Sequence, residues 1–393
     1  MRTLALLLLS SCVAPSPSPQ EEGRFVRIVW SKSRRQGDGA TMNRVNSPDT
    51  ATGRFKDRPE SKATGTLVLS CPDDPAALSS AELYLELWGG HPGTAKKSFT
   101  LNGQGPYEIP EVGAADKNCT YSYPAIPLRL DQLRRGENVF QFTCDKGSTF
   151  WGHFLFEIAS LRVTLKEPPH PFRARVRAIP NGERLELSLD ASAPLAAVTY
   201  EGLYHGFDEN GDGATRDWHG FTKEGKHQGD LGASWDLSMI PDQEDIEVRA
   251  ELGLADGLVY VTPSLRGLRT PARPSCVALV LPQDLPRPFW SRASREMKCG
   301  LRLDVYPARI ERAELHVVIW DGGKGNTPEP FTLNGHALPV AGNGRHDLLY
   351  RVVPVDPAWL KQGTNEIRVL SDTEHHGIEV LLPGPALVLR TRD

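Results

Sequence analysis

The chain states one pattern twice. Ala81-Glu82-Leu83-Tyr84-Leu85-Glu86-Leu87-Trp88 leads to Phe99-Thr100-Leu101-Asn102-Gly103, and Ala313-Glu314-Leu315-His316-Val317-Val318-Ile319-Trp320 leads to Phe331-Thr332-Leu333-Asn334-Gly335. The two tryptophans and the two asparagines are offset by the same 232 positions. Downstream, Leu133-Arg134-Arg135-Gly136-Glu137-Asn138 is echoed by Leu360-Lys361-Gln362-Gly363-Thr364-Asn365. A separation this long marks a duplicated domain, because solenoid units recur every ~20–50 residues. Whatever fold the first copy adopts, the second must adopt as well.

At 393 residues there is room for two to four domains, each with its own core. The 36 glycines and 32 prolines make turns frequent and favour short strands over long helices. The net charge of -4 argues against a nucleic-acid-binding surface, which is basic. Residues 1–11 read as an export signal: Arg2 supplies the positive charge, Leu4 to Leu9 the apolar run, and Ser10 and Ser11 the small residues. That run is too short to span a bilayer. Leu9-Ser10-Ser11-Cys12 resembles a bacterial lipobox, in which Cys12 carries lipid; the other reading is a cleaved leader that happens to contain a cysteine. Residues 12–23 then form a Pro/Ser-rich tether. Either way the chain is exported, to the cell envelope or surface by a lipid anchor, or as a secreted protein. Six cysteines are present, and export permits disulfides, with Cys119–Cys144 and Cys276–Cys299 as pairings within the copies. No Cys/His spacing indicates zinc.

Runs of strand length fill both copies. In the first these are Phe25–Trp30, Thr66–Ser70, Ala81–Trp88, Ser98–Leu101, Ile126–Leu130, Asn138–Thr143, Phe154–Ile158 and Leu161–Leu165, with Ser31–Gly65 as a long polar loop. Asn102-Gly103 and Asn334-Gly335 are hairpin signals, because Asn and Gly tolerate the positive φ of a type I′ turn. Glu167-Pro168-Pro169-His170-Pro171 and Thr270-Pro271-Ala272-Arg273-Pro274 are stiff linkers. Between them Arg184–Leu189 and Ile246–Ala250 alternate as half-buried strands do, and Asp256-Gly257 signals another hairpin. The expectation is an all-β chain of three β-sandwich domains at 24–166, 167–272 and 273–393, the first and third being duplicated copies.

The order strand, Phe-x-Leu-Asn-Gly, gap, Leu-x-x-Gly-x-Asn, strand resembles the galactose-binding-like jelly-roll domain, especially the sugar-binding domains attached to family 2 glycoside hydrolases. The resemblance covers about two-thirds of the chain and speaks to fold more than to ligand. It implies that Gly136 and Asn138, like Gly363 and Asn365, shape a turn rather than touch sugar. The Ser31–Gly65 loop departs from the simplest pattern and has no counterpart of that length in the second copy. Trp235-Asp236-Leu237-Ser238-Met239-Ile240-Pro241 before the Ile246 strand, with the later Asp256-Gly257, is similar to bacterial extracellular immunoglobulin-like or fibronectin-like domains.

Several residues are candidates for chemistry. Asp208, Asn210 and Asp212 stand at alternate positions with Gly213 after the third, the first half of a calcium loop, and Asp217 adds a late carboxylate. His219 occupies the place where an EF-hand needs a bidentate Glu, so a calcium ion here would brace a loop in a different way. The alternative is an acidic turn. Tyr204, His205, Asp217, Trp218, His219 and His227 crowd around it, open to a general-base reading, to a metal reading through His205, Asp208 and His219, or to plain packing. Trp88, His91, Trp151 and His153 in the first copy, and Trp320, His375 and His376 in the second, suit the faces and hydroxyls of a sugar. Trp151 follows a polar stretch and is the first choice for an exposed ring. Asp145 and Asp372 follow equivalent strands and are loop-base candidates. No spacing sets two acids face to face as a glycosidase requires. The leading function is non-catalytic binding of a glycan or a surface protein. The rivals are a polysaccharide lyase or hydrolase with its site near the middle loop or between domains, and a structural envelope protein.

Overall fold

The computed structural model describes residues 22–31, 43–48, 53, 56–91, 94–110, 119–145, 152–220 and 231–392. The expected export signal, most of the expected tether, Cys12, Trp151 and His227 lie outside the described residues. Among those described, the chain consists of β-strands and single-turn helices, with no α-helix. None is long and apolar enough to cross a membrane.

Alternation builds the sandwiches. Leu78–Trp88 buries Ala81, Leu83, Leu85 and Leu87 and turns Glu82, Tyr84 and Glu86 to its other face. The buried row meets Phe99, Phe140, Phe142 and Phe156 in the first core. Ile310–Asp321 repeats the arrangement, with Leu315, Val317 and Ile319 packed on Phe331, Ile367 and Val380. In each copy a four-stranded sheet carries the Asn-Gly hairpin and closes over that core: Thr66–Cys71, Gly136–Thr143, Ser98–Leu101 and Gln104–Glu108 in one, Met297–Leu303, Gly363–Val369, Phe331–Leu333 and His336–Ala337 in the other. A third core, around Tyr200, Trp235, Val248 and Leu252, lies between the copies in sequence.

The duplicated motif has a physical cause. Asn102 and Gly103 adopt φ of 51° and 81°, Asn334 and Gly335 of 50° and 85°. Each hairpin asparagine then donates from Nδ2 to a second, fully buried asparagine: Asn102 to Asn138 Oδ1 at 3.0 Å, and Asn334 to Asn365 Oδ1 at 2.8 Å. Asn138 in turn accepts from the Arg134 N–H and donates to the Arg134 and Gly136 carbonyls. Asn365 does the same with Lys361 and Gly363. The motif is a clamp joining two turns by side-chain amides, and it satisfies backbone groups of the Leu-x-x-Gly-x-Asn turn.

Four readings need correction. The Ser31–Gly65 stretch is not all loop, because Asn43–Asn46 pairs with His153–Phe156. The runs at Phe154 and Leu161 are one strand, His153–Leu165, which continues through a bulge at Glu157. Ile126–Leu130 is a short strand, Ala125–Pro127, followed by a turn at Leu130–Gln132. No disulfide forms among the described cysteines: Cys144 is buried in the first core and Cys119 is not, while Cys299 is buried and Cys276 exposed.

One feature lies beyond any sandwich pattern. Arg24–Trp30 pairs on one side with His153–Leu165 and on the other with Val259–Val261, so the first copy and the middle region share a single eleven-stranded sheet. Phe25 on that strand belongs to the middle core.

Replacing Asn365 with alanine strands several turn groups at once. The expected loss is on the order of 3 kcal/mol, read as an earlier unfolding midpoint, and Asn138→Ala should match it. A midpoint unchanged in both variants would mean that the clamp is dispensable.

Candidate functional site

The two copies meet through equivalent faces. Trp88, Cys119 and Tyr121 of the first pack with Val318, Leu381 and Ala386 of the second, and Phe207 from the middle region completes the cluster. The Leu382 N–H donates to the Cys119 carbonyl at 3.0 Å across the seam.

Each copy ends this face in one tryptophan and two histidines. In the first, Trp88 lies 5.1 Å from His91 and 5.4 Å from His153 between ring centroids. In the second, Trp320 lies 5.4 Å from His346 and 6.1 Å from His376. Packing separates the two sets. Trp88 and His153 are only 8% and 5% exposed, and His91 stacks on Trp290 of the second copy at 6.2 Å. Trp320 and His346 are half-buried, and His376 is exposed. The first constellation is covered at the seam, with His91 half-buried, and the second is less covered, with His376 exposed.

Local structure explains the open set. Asp321, buried directly after Trp320, accepts on Oδ2 from the N–H groups of Gly342 and Asn343, each at 3.0 Å. That fixes the loop carrying His346 beside the tryptophan, while Asp321 Oδ1 is buried and has no partner among the described residues. The first copy has Gly89 at the equivalent position. Asp372 accepts from the Asn326 N–H at 2.9 Å, with Gly325 so close that a side chain there would collide with the carboxylate. Asp145 instead pairs with exposed Lys96 at 2.9 Å. The two loop-base aspartates therefore brace equivalent loops in different ways. Of the residues expected here, the structure brings Trp88 to His153 and Trp320 to His376. His346 was missed, since nothing in its local sequence marks it. Trp151 lies outside the described residues.

Glu379 sits in the middle of the seam. It pairs across the sheet with both Trp290 and Trp320 and is 4% exposed. Its carboxyl is pushed up to about 7 by burial, opposed by a hydrogen bond with the Cys119 thiol. Burial pushes His91 the other way, down to about 4, with Arg44 adding to the effect.

The middle hairpin contributes differently from expectation. Alternation on Ala197–His205 and Arg216–Gly220 puts Tyr204 and His219 together at 4.6 Å, while exposed His205 turns to Thr215 at 3.1 Å. His205 and His219 thus make separate contacts, and among the described residues no group of three or more His, Cys, Asp or Glu side chains is placed to hold a metal ion. In the expected calcium loop, Asp208 accepts from the N–H groups of Asp212 and Gly213, Asn210 from Asp212, and Asp212 from Ala214. Asp217 accepts from Asn210 and from the Trp218 N–H. These bonds close the turn through the Asp-Asn-Asp spacing.

An acid pair that no spacing indicated also emerges. The bulge aims Glu157 toward Glu86, and Tyr121 Oη lies 3.2 Å from one carboxylate and 3.5 Å from the other. Burial, then the Glu157 charge, raises the Glu86 carboxyl against the pull of its tyrosine partners. Burial also raises the phenols of Tyr84, Tyr121 and Tyr123.

No family model matches the chain, and no curated protein matches it in sequence. Among solved structures it is similar to a β-porphyranase of glycoside hydrolase family 86 from the gut bacterium Bacteroides plebeius, at 15% identity and a TM-score of 0.26, over 56% of this chain and 37% of that one. It is similar to a β-glucuronidase of an uncultured Clostridium species at 11% identity and 0.20, over 71% and 50%. A Ruminococcus gnavus β-glucuronidase in complex with D-glucuronic acid gives 11% and 0.21, over 71% and 51%. The chain thus spans about a third to a half of their length, and scores this low carry no argument about function.

Two opposed titrations at one seam give a pH signature. Glu379 favours the folded state below about 4.5, and that contribution is lost as pH rises toward about 7. His91 favours it above about 6.5, and that contribution is lost as pH falls toward about 4. At alkaline pH, Glu379→Gln should therefore raise stability by roughly 1–3 kcal/mol and flatten the upper limb of a stability–pH curve. An unchanged upper limb would remove Glu379 from the account.

Proposed function

We propose that this protein is a non-catalytic carbohydrate-binding protein whose ligand seats at the open end of the second copy. The observation that carries the reading is a Trp-His-His cluster at the end of each copy, covered at the seam in the first and less covered in the second. Trp320 offers an apolar ring face for sugar C–H groups, and His346 and His376 offer hydrogen bonds to hydroxyls. Asp372 and the Lys324–Asn326 loop border the same end. Covering the first constellation leaves one glycan site of this kind among the described residues rather than an avid pair.

In this reading the protein is exported and held at the cell surface by lipid on Cys12, supported by the basic, apolar and small-residue order of residues 2–12. Secretion and a surface-protein ligand are the alternatives. The rival hydrolytic reading rests on the Glu86–Glu157 pair. Both carboxylates there face tyrosine hydroxyls, which favours a structural role.

A glycan array followed by calorimetry tests the proposal. Trp320→Ala should weaken binding at least about tenfold, a loss of about 1.4 kcal/mol, while Trp88→Ala lowers stability and leaves affinity near its starting value. Equal losses in both variants would contradict the asymmetry. Product release that is abolished by Glu86→Gln would replace binding with catalysis. Repeating the titration with chelator examines calcium at Asp208, Asn210, Asp212 and Asp217: weakened binding supports the ion, and unchanged binding leaves the loop closed by its own N–H groups.

A further inference from the structure

The shared sheet carries a groove of about 570 Å³ on the face it turns away from the first core. Its lining is mainly polar, with apolar contributions from Val26 of the strand that joins the two halves and Val259 of the middle region. Its charged residues include Arg24, Arg162, Lys166, Arg249, Glu82 and Glu251.

Two arginines, one from each half of the sheet, are held by aromatic rings. The Arg162 guanidinium lies 3.8 Å over Tyr84, and that of Arg249 lies 3.9 Å over Trp218. Stacking fixes the plane of a guanidinium and leaves its N–H edge to bond in that plane. Arg249 spends part of its edge on Glu201 at 2.7 Å. Arg162 is held less tightly: Glu82 forms only a 3.7 Å ion pair with Nη1, and Nε is buried with no hydrogen-bond partner among the described residues. The rest of the guanidinium is part-exposed, at 28% for the side chain, on the groove lining, where a ligand oxygen can replace the long contact to Glu82 with a charge-assisted hydrogen bond.

We infer that this groove binds an anionic group, a carboxylate or a sulfate carried by a saccharide, with Arg162 as its principal donor. The site is separate from the Trp320 end, and only the saccharide part of the inference rests on the carbohydrate reading. Glu251 is the competing charge. It faces Arg24, Arg162 and Arg249, with Glu201 beside it and Glu22, Glu82 and Lys166 elsewhere on the lining. Burial, reinforced by Glu201, raises its carboxyl, so it gives up its charge more readily than an exposed glutamate. Protonation leaves the cations of the groove opposed by fewer carboxylates, and anion binding tightens as pH falls.

The test uses the Trp320→Ala protein, so that failure of the groove and failure of the seam site read separately. Three probes are titrated by calorimetry: a heparin-derived hexasaccharide, an oligogalacturonate and a neutral oligosaccharide of equal length. Either or both anionic probes should bind and the neutral one should not, with affinity falling as salt rises. Binding of one but not the other distinguishes sulfate from carboxylate. Adding Arg162→Gln should weaken binding about tenfold, and Arg162→Lys, which keeps charge but loses the fork, should fall between. In case Arg162 variants fold poorly, Glu251→Gln is the second variant: it should bind more tightly near neutral pH and lose the tightening on acidification. Equal binding of the neutral probe, no binding of any anionic probe, or indifference to both Arg162→Gln and Glu251→Gln would overturn the inference.

Discussion

The buried amide–amide bond between the hairpin asparagine and the turn asparagine is the constraint on which the rest of the structure depends. In each copy it ties the Asn-Gly hairpin to the Leu-x-x-Gly-x-Asn turn, strands far apart in sequence. Each asparagine offers one acceptor and two donors, and the buried one uses both kinds on its own turn. A carboxylate there would lack the donors, and an apolar residue would leave the backbone groups unpaired. The clamp therefore sets the register of the small sheet against the core, and register decides which residues of the facing strand point outward.

The outward row is where the copies diverge. The inward rows at Leu83–Leu87 and Leu315–Ile319 are alike, because each must fill the same kind of core. On the outer face Glu86 in one copy corresponds to Val318 in the other, and just past the tryptophan Gly89 corresponds to Asp321. These differences let two related faces dock on each other while keeping unlike ends. One end is closed by Trp290, and the other is held open by a loop pinned to Asp321. Burying Glu379 and His91 in that contact carries an electrostatic cost, tolerated because each is uncharged over part of the ordinary pH range.

Much of the fold was legible in the sequence. Alternating strands, Asn-Gly hairpins and the repeat report local backbone geometry, and these are properties that nearby residues determine. Residues 98–101 and the Asp256-Gly257 hairpin were readable on that basis. What escaped depends on partners distant in the chain. Glu157 looked like an ordinary position in an apolar run, and only its pairing with Leu78–Trp88 reveals the bulge. Phe25 gave no sign that it would fill the middle core. Cys119 was read as half of a disulfide, although its side chain meets Glu379, which lies in the other copy. The candidate site shows the same division: Trp320 and His376 were visible as residues suited to sugar, whereas His346 joins them through a loop whose anchor is one carboxylate.

The central claim is that seam packing leaves the second constellation, and not the first, available to ligand. Histidine carbethoxylation followed by mass spectrometry, with and without a bound glycan, tests it directly. The account predicts that His346 and His376 are modified readily and become protected when the glycan is present, while His91 and His153 react slowly in both conditions. Rapid modification of His91 and His153, or protection appearing there rather than at His346 and His376, would contradict it.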